Sequence, residues 1–380
     1  SSKAWYFFFN NMSVGTQVGH FFILLVSNIV IINAMIPISL YVTLEIVRVF
    51  QSLFVKWDAT MYDPETGINA HARTSNISDD LGQIEYIFSD KTGTLTRNSM
   101  EFMKCCIGGT AYGSGTTEVA YASAQRQGRR IQPPNKTGKA FQDDGFYQIL
   151  KSGNVPEDIE RFLWLLSICH SVIPEADPSK PYGIQFQASS PDEAALVSAA
   201  ADFGYVFTSR SQSSVTVRVN ETNVDIPVLA VLEFTSERKR SSVIIREPKT
   251  NQIVLYCKGA DDLIYQRLAQ DCPYRNETRE HLKQFADDGL RTLCCAYRVI
   301  DENFFKEWER RYNDASCAIE GREELVNNVC NEIESDLILL GATAIEDKLQ
   351  DSVPETIQAL LDGRIHVWII TGDKLETAIN

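Results

Sequence analysis

In the string Ser89-Asp90-Lys91-Thr92-Gly93-Thr94-Leu95-Thr96 an aspartate is followed at once by lysine, threonine and glycine, the residue types of a phosphoryl acceptor. A carboxylate at the tip of a strand can attack phosphorus, and the Gly and Thr residues behind it offer backbone N–H and hydroxyl donors to the transferred oxygens. Prompt hydrolysis of the acyl phosphate would need a second acid to activate water. Two residues on from the aspartate stands Thr92, which is no base near neutral pH. The aspartyl phosphate is therefore expected to persist until another event discharges it.

A strand must hold these residues, and the apolar run Ile84-Glu85-Tyr86-Ile87-Phe88 supplies one, with a turn-rich segment behind it. The pattern recurs near the far end. Residues 365–370 read as a strand, Thr371-Gly372-Asp373 as a turn and 374–378 as the start of a helix, preceded by a helix over 356–361 with Ser352-Val353-Pro354-Glu355 at its N-cap region. Two strand-turn units with a helix between them predict a doubly wound parallel sheet with ligands at the carboxyl ends of its strands, so the two loops should meet. The intervening chain has its own strands, over 215–219, 228–234, 243–246 and 253–256, and an Ala-rich helix over 192–201. It reads as an inserted domain, since a compact fold does not carry so long a loop. Residues 108–139, rich in Gly, Thr, Ser, Gln and basic residues, are expected to form its variable, partly mobile edge.

With 380 residues, 44% of them hydrophobic and 10% aromatic, there is material for two or three cored domains. A formal charge of −14 without a long basic run argues against a nucleic acid partner. The nine cysteines fit neither metal-ligand spacing nor a secreted disulfide framework and read as free thiols. No charged residue occurs over 4–44, and the apolar run after His20 is long enough to cross roughly 30 Å of hydrocarbon, so a transmembrane helix is expected. Arg48 and Lys56 at its C-terminal end put the chain after about residue 50 in the cytosol.

Asp90 to Thr96 matches the phosphorylation motif of the P-type ATPases over seven residues, and Thr371-Gly372-Asp373 matches the second phosphate-binding loop of that family. The chain thus resembles a P-type ATPase. The resemblance implies an α/β fold: a haloacid-dehalogenase-like doubly wound phosphorylation domain with a large inserted α+β nucleotide-binding domain, preceded by a transmembrane helix. It implies Asp90 as the catalytic nucleophile, with Lys91, Thr92 and Gly372 at the nucleotide's phosphates, Thr371 holding a phosphoryl oxygen and Asp373 close to Mg²⁺; Asp90 and Thr92 would hold the metal. Four further strings resemble the family's nucleotide pocket. In Leu232-Glu233-Phe234-Thr235-Ser236-Glu237-Arg238-Lys239, Phe234 would stack on adenine while Ser236 and Lys239 reach its surroundings. Lys258, in Lys258-Gly259-Ala260-Asp261, would line the base pocket, with Gly259 allowing close backbone approach; Glu193 would accept from the exocyclic amine; Arg291 and Thr292 would address the phosphates. The alternatives are a core aromatic at Phe234, a solvated edge at Arg238 and Lys239, and a helix-dipole acid at Glu193.

Pro37-Ile38-Ser39-Leu40 interrupts the membrane helix and frees carbonyls that a cavity or neighbouring helices must satisfy. Ile38 offers no oxygen to a cation, and an apolar side chain suits a bulky, partly hydrophobic cargo. This PISL string resembles the type IV, phospholipid-flipping branch of the P-type ATPases. So do Leu81-Gly82-Gln83-Ile84-Glu85-Tyr86-Ile87-Phe88, Ala188-Ser189-Ser190-Pro191-Asp192-Glu193-Ala194-Ala195-Leu196 and Ile345-Glu346-Asp347-Lys348-Leu349-Gln350. The implied activity is ATP-driven phospholipid movement to the cytosolic leaflet of a Golgi, endosomal or plasma membrane, with a small two-span glycoprotein partner. A cation-transporting P-type ATPase is the nearest alternative, and an idle nucleotide-binding module the next. The expected division is 1–55 membrane segment, 56–103 linker and first part of the phosphorylation domain, 104–340 nucleotide-binding domain and 341–380 second part of the phosphorylation domain. The family's actuator domain and Mg²⁺-completing segment have no counterpart, so a fragment of a larger pump is expected.

Overall fold

The structure is a computed structural model that describes residues 13–35, 37–64, 66–117, 120–121, 124, 128–130, 132–133 and 140–372. The chain divides into two compact units, residues 1–87 with 360–366, and residues 88–359 with 367–380.

In the first unit α1 (Val14–Met35) and α2 (Ile38–Trp57) are apolar helices separated at Pro37, whose ψ of 67° is not helical. Proline has no N–H to donate and its ring clashes with the preceding turn, so the break falls where the PISL string predicts it. Together the two helices are long and apolar enough to cross a membrane by length and composition. At about 1.5 Å per residue they extend roughly twice the depth of a hydrocarbon core. The later turns of α2 accordingly turn polar: Arg48 pairs with Glu45 at 2.8 Å and with Asp79 at 2.8 Å. A short hairpin, β1 (Tyr62–Asp63) and β2 (Ile68–Asn69), and α3 (Ile77–Leu81) follow.

β3 (Tyr86–Asp90) leads into the Asp90 loop and then into β4 (Thr96–Ile107) and β5 (Thr110–Tyr112). Two helices follow, α4 (Asp144–Lys151) and α5 (Glu157–Ile168), then the hairpin of β6 (Ile173–Ala176) and β7 (Ile184–Gln187), and α6 (Pro191–Asp202). A meander comes next, of β8 (Tyr205–Arg210), β9 (Ser214–Val219), β10 (Thr222–Leu232), β11 (Arg240–Arg246) and β12 (Ile253–Gly259). The remaining elements are α7 (Asp261–Tyr265), α8 (Arg275–Asp287), β13 (Arg291–Ile300), α9 (Glu302–Ser316), α10 (Arg322–Ile333), β14 (Ile338–Leu349), α11 (Val353–Asp362) and β15 (His366–Ile370).

Nine strands form one antiparallel sheet in the order β5-β4-β14-β13-β12-β11-β10-β9-β8. Helices cover both faces, which explains why β12 reads as an unbroken run, Ile-Val-Leu-Tyr-Cys-Lys-Gly, with all seven residues buried. Successive side chains point to opposite faces. Val254 and Tyr256 join the core with Phe162 and Leu166 of α5 and Leu196 and Ala200 of α6. Ile253, Leu255 and Cys257 join the core with Trp308 of α9 and Ile333 of α10. Part of the expected mobile edge, Thr110–Tyr112, is instead the outermost strand of this sheet. β4 and β14 run unbroken through the expected boundaries at 103/104 and 340/341, and the chain passes between those regions along paired strands.

β3 and β15 form a separate two-stranded sheet. Tyr86 stacks on His366 at 5.2 Å and Phe88 faces Trp368 at 6.2 Å. Both strands advance two residues from one ring pair to the next, as in a parallel pair. The wider doubly wound sheet is not seen among the described residues.

Candidate functional site

Asp90 ends β3 in extended geometry and is solvent-exposed. The next residues turn back sharply: Thr92 has ψ 119° and Gly93 has φ 78°, a left-handed conformation that a side chain would strain. Gly93 N–H donates to the buried Thr96 hydroxyl at 3.0 Å. The far end of the turn is pinned just past β14, where Gln350 N–H donates to the Leu95 carbonyl at 2.8 Å. The turn is thus fastened behind a carboxylate that faces solvent. Because β3 and β15 run in parallel, Asp90 and Ile370 lie at corresponding ends, and Thr371 follows Ile370 directly. Asp373 lies outside the described residues.

Glu193 and Lys258, predicted for one base pocket, are in direct contact. Lys258 Nζ donates to Glu193 Oε1 at 2.8 Å, while Glu193 Oε2 accepts from the Ser171 N–H at 2.9 Å and its hydroxyl at 2.6 Å. Glu193 sits in the first turn of α6, behind Pro191 at the helix start, where the dipole favours an acid. Burial opposes its ionisation, but the Lys258 ammonium and the Ser171 donors overcome that and hold its pKa down at about 2. Next to this pair His170 is buried against Phe207. Burial first, then the charges of Arg210 and Lys258, push its pKa down to about 3 and keep it neutral.

Phe234 follows the end of β10 and is 62% exposed, so it is no core aromatic. Ser236 and Lys239 are exposed on the same loop, and Lys239 takes a left-handed φ of 46°. Arg238 is not the solvated edge considered for it: it is buried and paired with Glu334. Gly259 is where β12 comes against β11. A Cβ there would lie 2.4 Å from Cβ of Arg240, so the close approach it permits is to a neighbouring strand.

Arg291 and Thr292, at the start of β13, line a cavity of about 1130 Å³ with Asp192, Arg279, Lys283 and Gly372. Arg291 reaches Asp192, which also lines the cavity, at 3.4 Å. The predicted phosphate residues Arg291, Thr292 and Gly372 therefore share one space, and Glu193 follows Asp192 in the chain. Asp90, Phe234, Ser236 and Lys239 are not among the residues lining it.

Three participants were missed in the sequence. Ser171 holds Glu193 from 22 positions away, with no local signal. Asp192, beside Glu193 in the quoted string, faces Arg291. Asp347 of β14 buries both carboxylate oxygens; burial raises its pKa, against the pull of Thr96, Arg291 and Lys91. Among the described residues no group of three or more His, Cys, Asp or Glu could hold a metal. The oxygens of Asp90 and Thr92 are nevertheless the hard donors that Mg²⁺ takes while keeping several waters.

Residues 158–352 match the family model of the P-type ATPase cytoplasmic domain N. Phospholipid-transporting ATPase IC of Homo sapiens is 44% identical over 386 residues, covering 100% of this chain and 30% of the relative. Its Mus musculus counterpart is 47% identical over 359 residues, 93% of this chain and 28% of the relative. Phospholipid-transporting ATPase 10 of Arabidopsis thaliana is 45% identical over 370 residues, 91% of this chain and 30% of the relative. The chain spans about 30% of the length of the curated relatives it matches.

Proposed function

The chain belongs to the P-type ATPases, and from that premise we propose that the complete protein moves phospholipid toward the cytosolic leaflet, driven by ATP through an aspartyl phosphate at Asp90. The observation that carries the chemistry is the shared end of β3 and β15, where exposed Asp90 ends one strand and Thr371-Gly372 directly follow the other. One Asp90 carboxylate oxygen attacks the γ-phosphorus of ATP, the bond from that phosphorus to the β–γ bridging oxygen breaks, and ADP leaves. Lys91, Thr92, Thr371 and Gly372 surround the transferred group, and Arg291 and Thr292 orient the phosphates. Phe234 stacks on adenine, Lys258 and Glu193 border the base, and Ser236 and Lys239 complete its surroundings. Mg²⁺, when bound, offsets charge on the phosphates; Asp90 and Thr92 would hold it, with Asp373 close by. Thr92 cannot activate water, so the acyl phosphate outlives the transfer step, as coupling to transport requires.

In this reading residues 56–103 and 341–380 form a haloacid-dehalogenase-like phosphorylation domain, 104–340 the nucleotide-binding domain, and 1–55 a membrane segment with the path at Pro37, Ile38, Ser39 and Leu40. The protein would sit in a Golgi, endosomal or plasma membrane with a small two-span glycoprotein partner. Apolar Ile38 after the proline supports a lipid rather than a cation cargo. The test uses the full-length protein in liposomes with fluorescent phospholipid in both leaflets. ATP should deplete label from the leaflet opposite the nucleotide-binding side, and ATPase activity should rise with phospholipid. Stimulation by a cation with no lipid movement would overturn the lipid assignment.

A further inference from the structure

Helix α10 is tied to the 233–240 segment by one row of polar side chains. Asn327 and Asn331 are four residues apart and Glu334, at the C-cap, is three further on, a spacing that aligns them on one helix face. Asn327 Nδ2 donates to Glu237 Oε2 at 2.8 Å, and Asn331 Oδ1 accepts from Arg240 Nη2 at 2.5 Å. Glu334 binds both arginines. Its Oε1 accepts from Arg238 Nη2 and the Ser242 hydroxyl, each at 2.5 Å, and its Oε2 from Arg240 Nε at 2.7 Å. The arginines also grip backbone: Arg238 Nη1 donates to the Glu233 carbonyl at 2.8 Å and Arg240 Nη1 to the Arg238 carbonyl at 3.0 Å. Glu334 is 0% exposed, Arg240 1% and Arg238 5%, whereas Phe234, Ser236 and Lys239 face solvent.

Such a cluster is weak evidence of stabilisation. Desolvating such ions is costly, and apolar residues of similar volume in their place are often as stable or more so. What an ionic cluster supplies is direction: its bonds to fixed atoms set the path of the segment, and Phe234, Ser236 and Lys239, assigned to the nucleotide, are among the side chains it leaves exposed. We propose that Asn327, Asn331 and Glu334 are positioning residues that hold Phe234, Ser236 and Lys239 in the geometry that receives the base. This rests on the nucleotide reading of that loop.

The full-length protein tests it by comparing Asp90 phosphorylation from ATP with phosphorylation from acetyl phosphate, a donor that has no base. Three variants serve: Asn327→Ala, whose contact is exposed, Glu334→Gln, and the apolar triple Arg238→Met/Arg240→Met/Glu334→Leu. The KM for ATP should rise about threefold in the first and about tenfold or more in the others, with phosphoenzyme at saturating ATP and the acetyl phosphate reaction within about twofold of wild type. An unchanged KM in Asn327→Ala and the triple variant, or equal losses with both donors, would overturn the proposal. Should Glu334→Gln fail to fold, those two variants decide it. Wild-type protein that takes phosphate from acetyl phosphate but not from ATP would instead overturn the nucleotide reading, and this inference with it.

Discussion

Glu193 binds Ser171, the residue next to His170, and acid should reach the two titratable groups in a definite order. A free histidine titrates near ~6.5 and a free glutamate near ~4.3, whereas the folded values are about 3 and about 2. Both groups bind protons more readily when unfolded, so each contributes stability above its free pKa that is lost as pH falls toward the folded value. Between pH 6.5 and 5 the loss therefore comes from His170, on the order of 2 kcal/mol at pH 5, while the Glu193–Lys258 pair is still intact. The thermal midpoint of the full-length protein should fall between pH 7 and 5, and less steeply in His170→Asn; equal slopes would rule this assignment out. For the loop residue, Phe234→Ala should raise the KM for ATP about tenfold while Phe234→Trp keeps it near wild type, since stacking needs a ring rather than phenylalanine. Asp90, Phe234 and Lys258 could be proposed from the sequence because each stands in a short string of contiguous residues. Ser171 and Glu334 could not, because each acts on a partner brought near only by the fold, 22 positions away for Ser171 and 92 to 96 for Glu334.

Among the elements, α9 and α10 carry the face of the sheet that supports the Phe234 loop. Trp308 is fully buried between them, stacks on Tyr312 at 5.0 Å and donates from Nε1 to the Val329 carbonyl at 2.9 Å. Trp308→Ala should cost about 3–5 kcal/mol by cavity formation and the lost contacts. Read by hydrogen exchange, the loss should concentrate in α9, α10 and β14; uniform loss across α5 and α6 would contradict a two-faced core. The strands over 215–219, 228–234, 243–246 and 253–256 were readable because apolar periodicity is local, and they appear as β9 to β12 with shifted ends. The sheet order was not readable. β4 pairs with β14 across more than two hundred residues, and nothing in either strand names its partner. β12 hid its two-sidedness, since a strand buried on both faces has no alternation to detect.

For the whole molecule, the Pro37 break and the Asp90 loop belong to different compact units, so coupling between them is a question for function rather than geometry. If the apolar Ile38 meets the cargo, Ile38→Gln should reduce phospholipid-stimulated ATPase activity several-fold while leaving phosphorylation by ATP at wild-type level. A parallel loss of both would assign Ile38 to folding instead. The long apolar stretch was plain in the sequence because forty uncharged residues have few alternatives. All of these readings depend on covalent capture of phosphate by one carboxylate. Purified full-length protein exposed briefly to γ-labelled ATP and quenched in acid tests this directly. Wild type should retain label that hydroxylamine removes, as an acyl phosphate requires, and Asp90→Asn should retain none. Equal labelling of the two proteins, or no label in wild type that still hydrolyses ATP, would contradict the account.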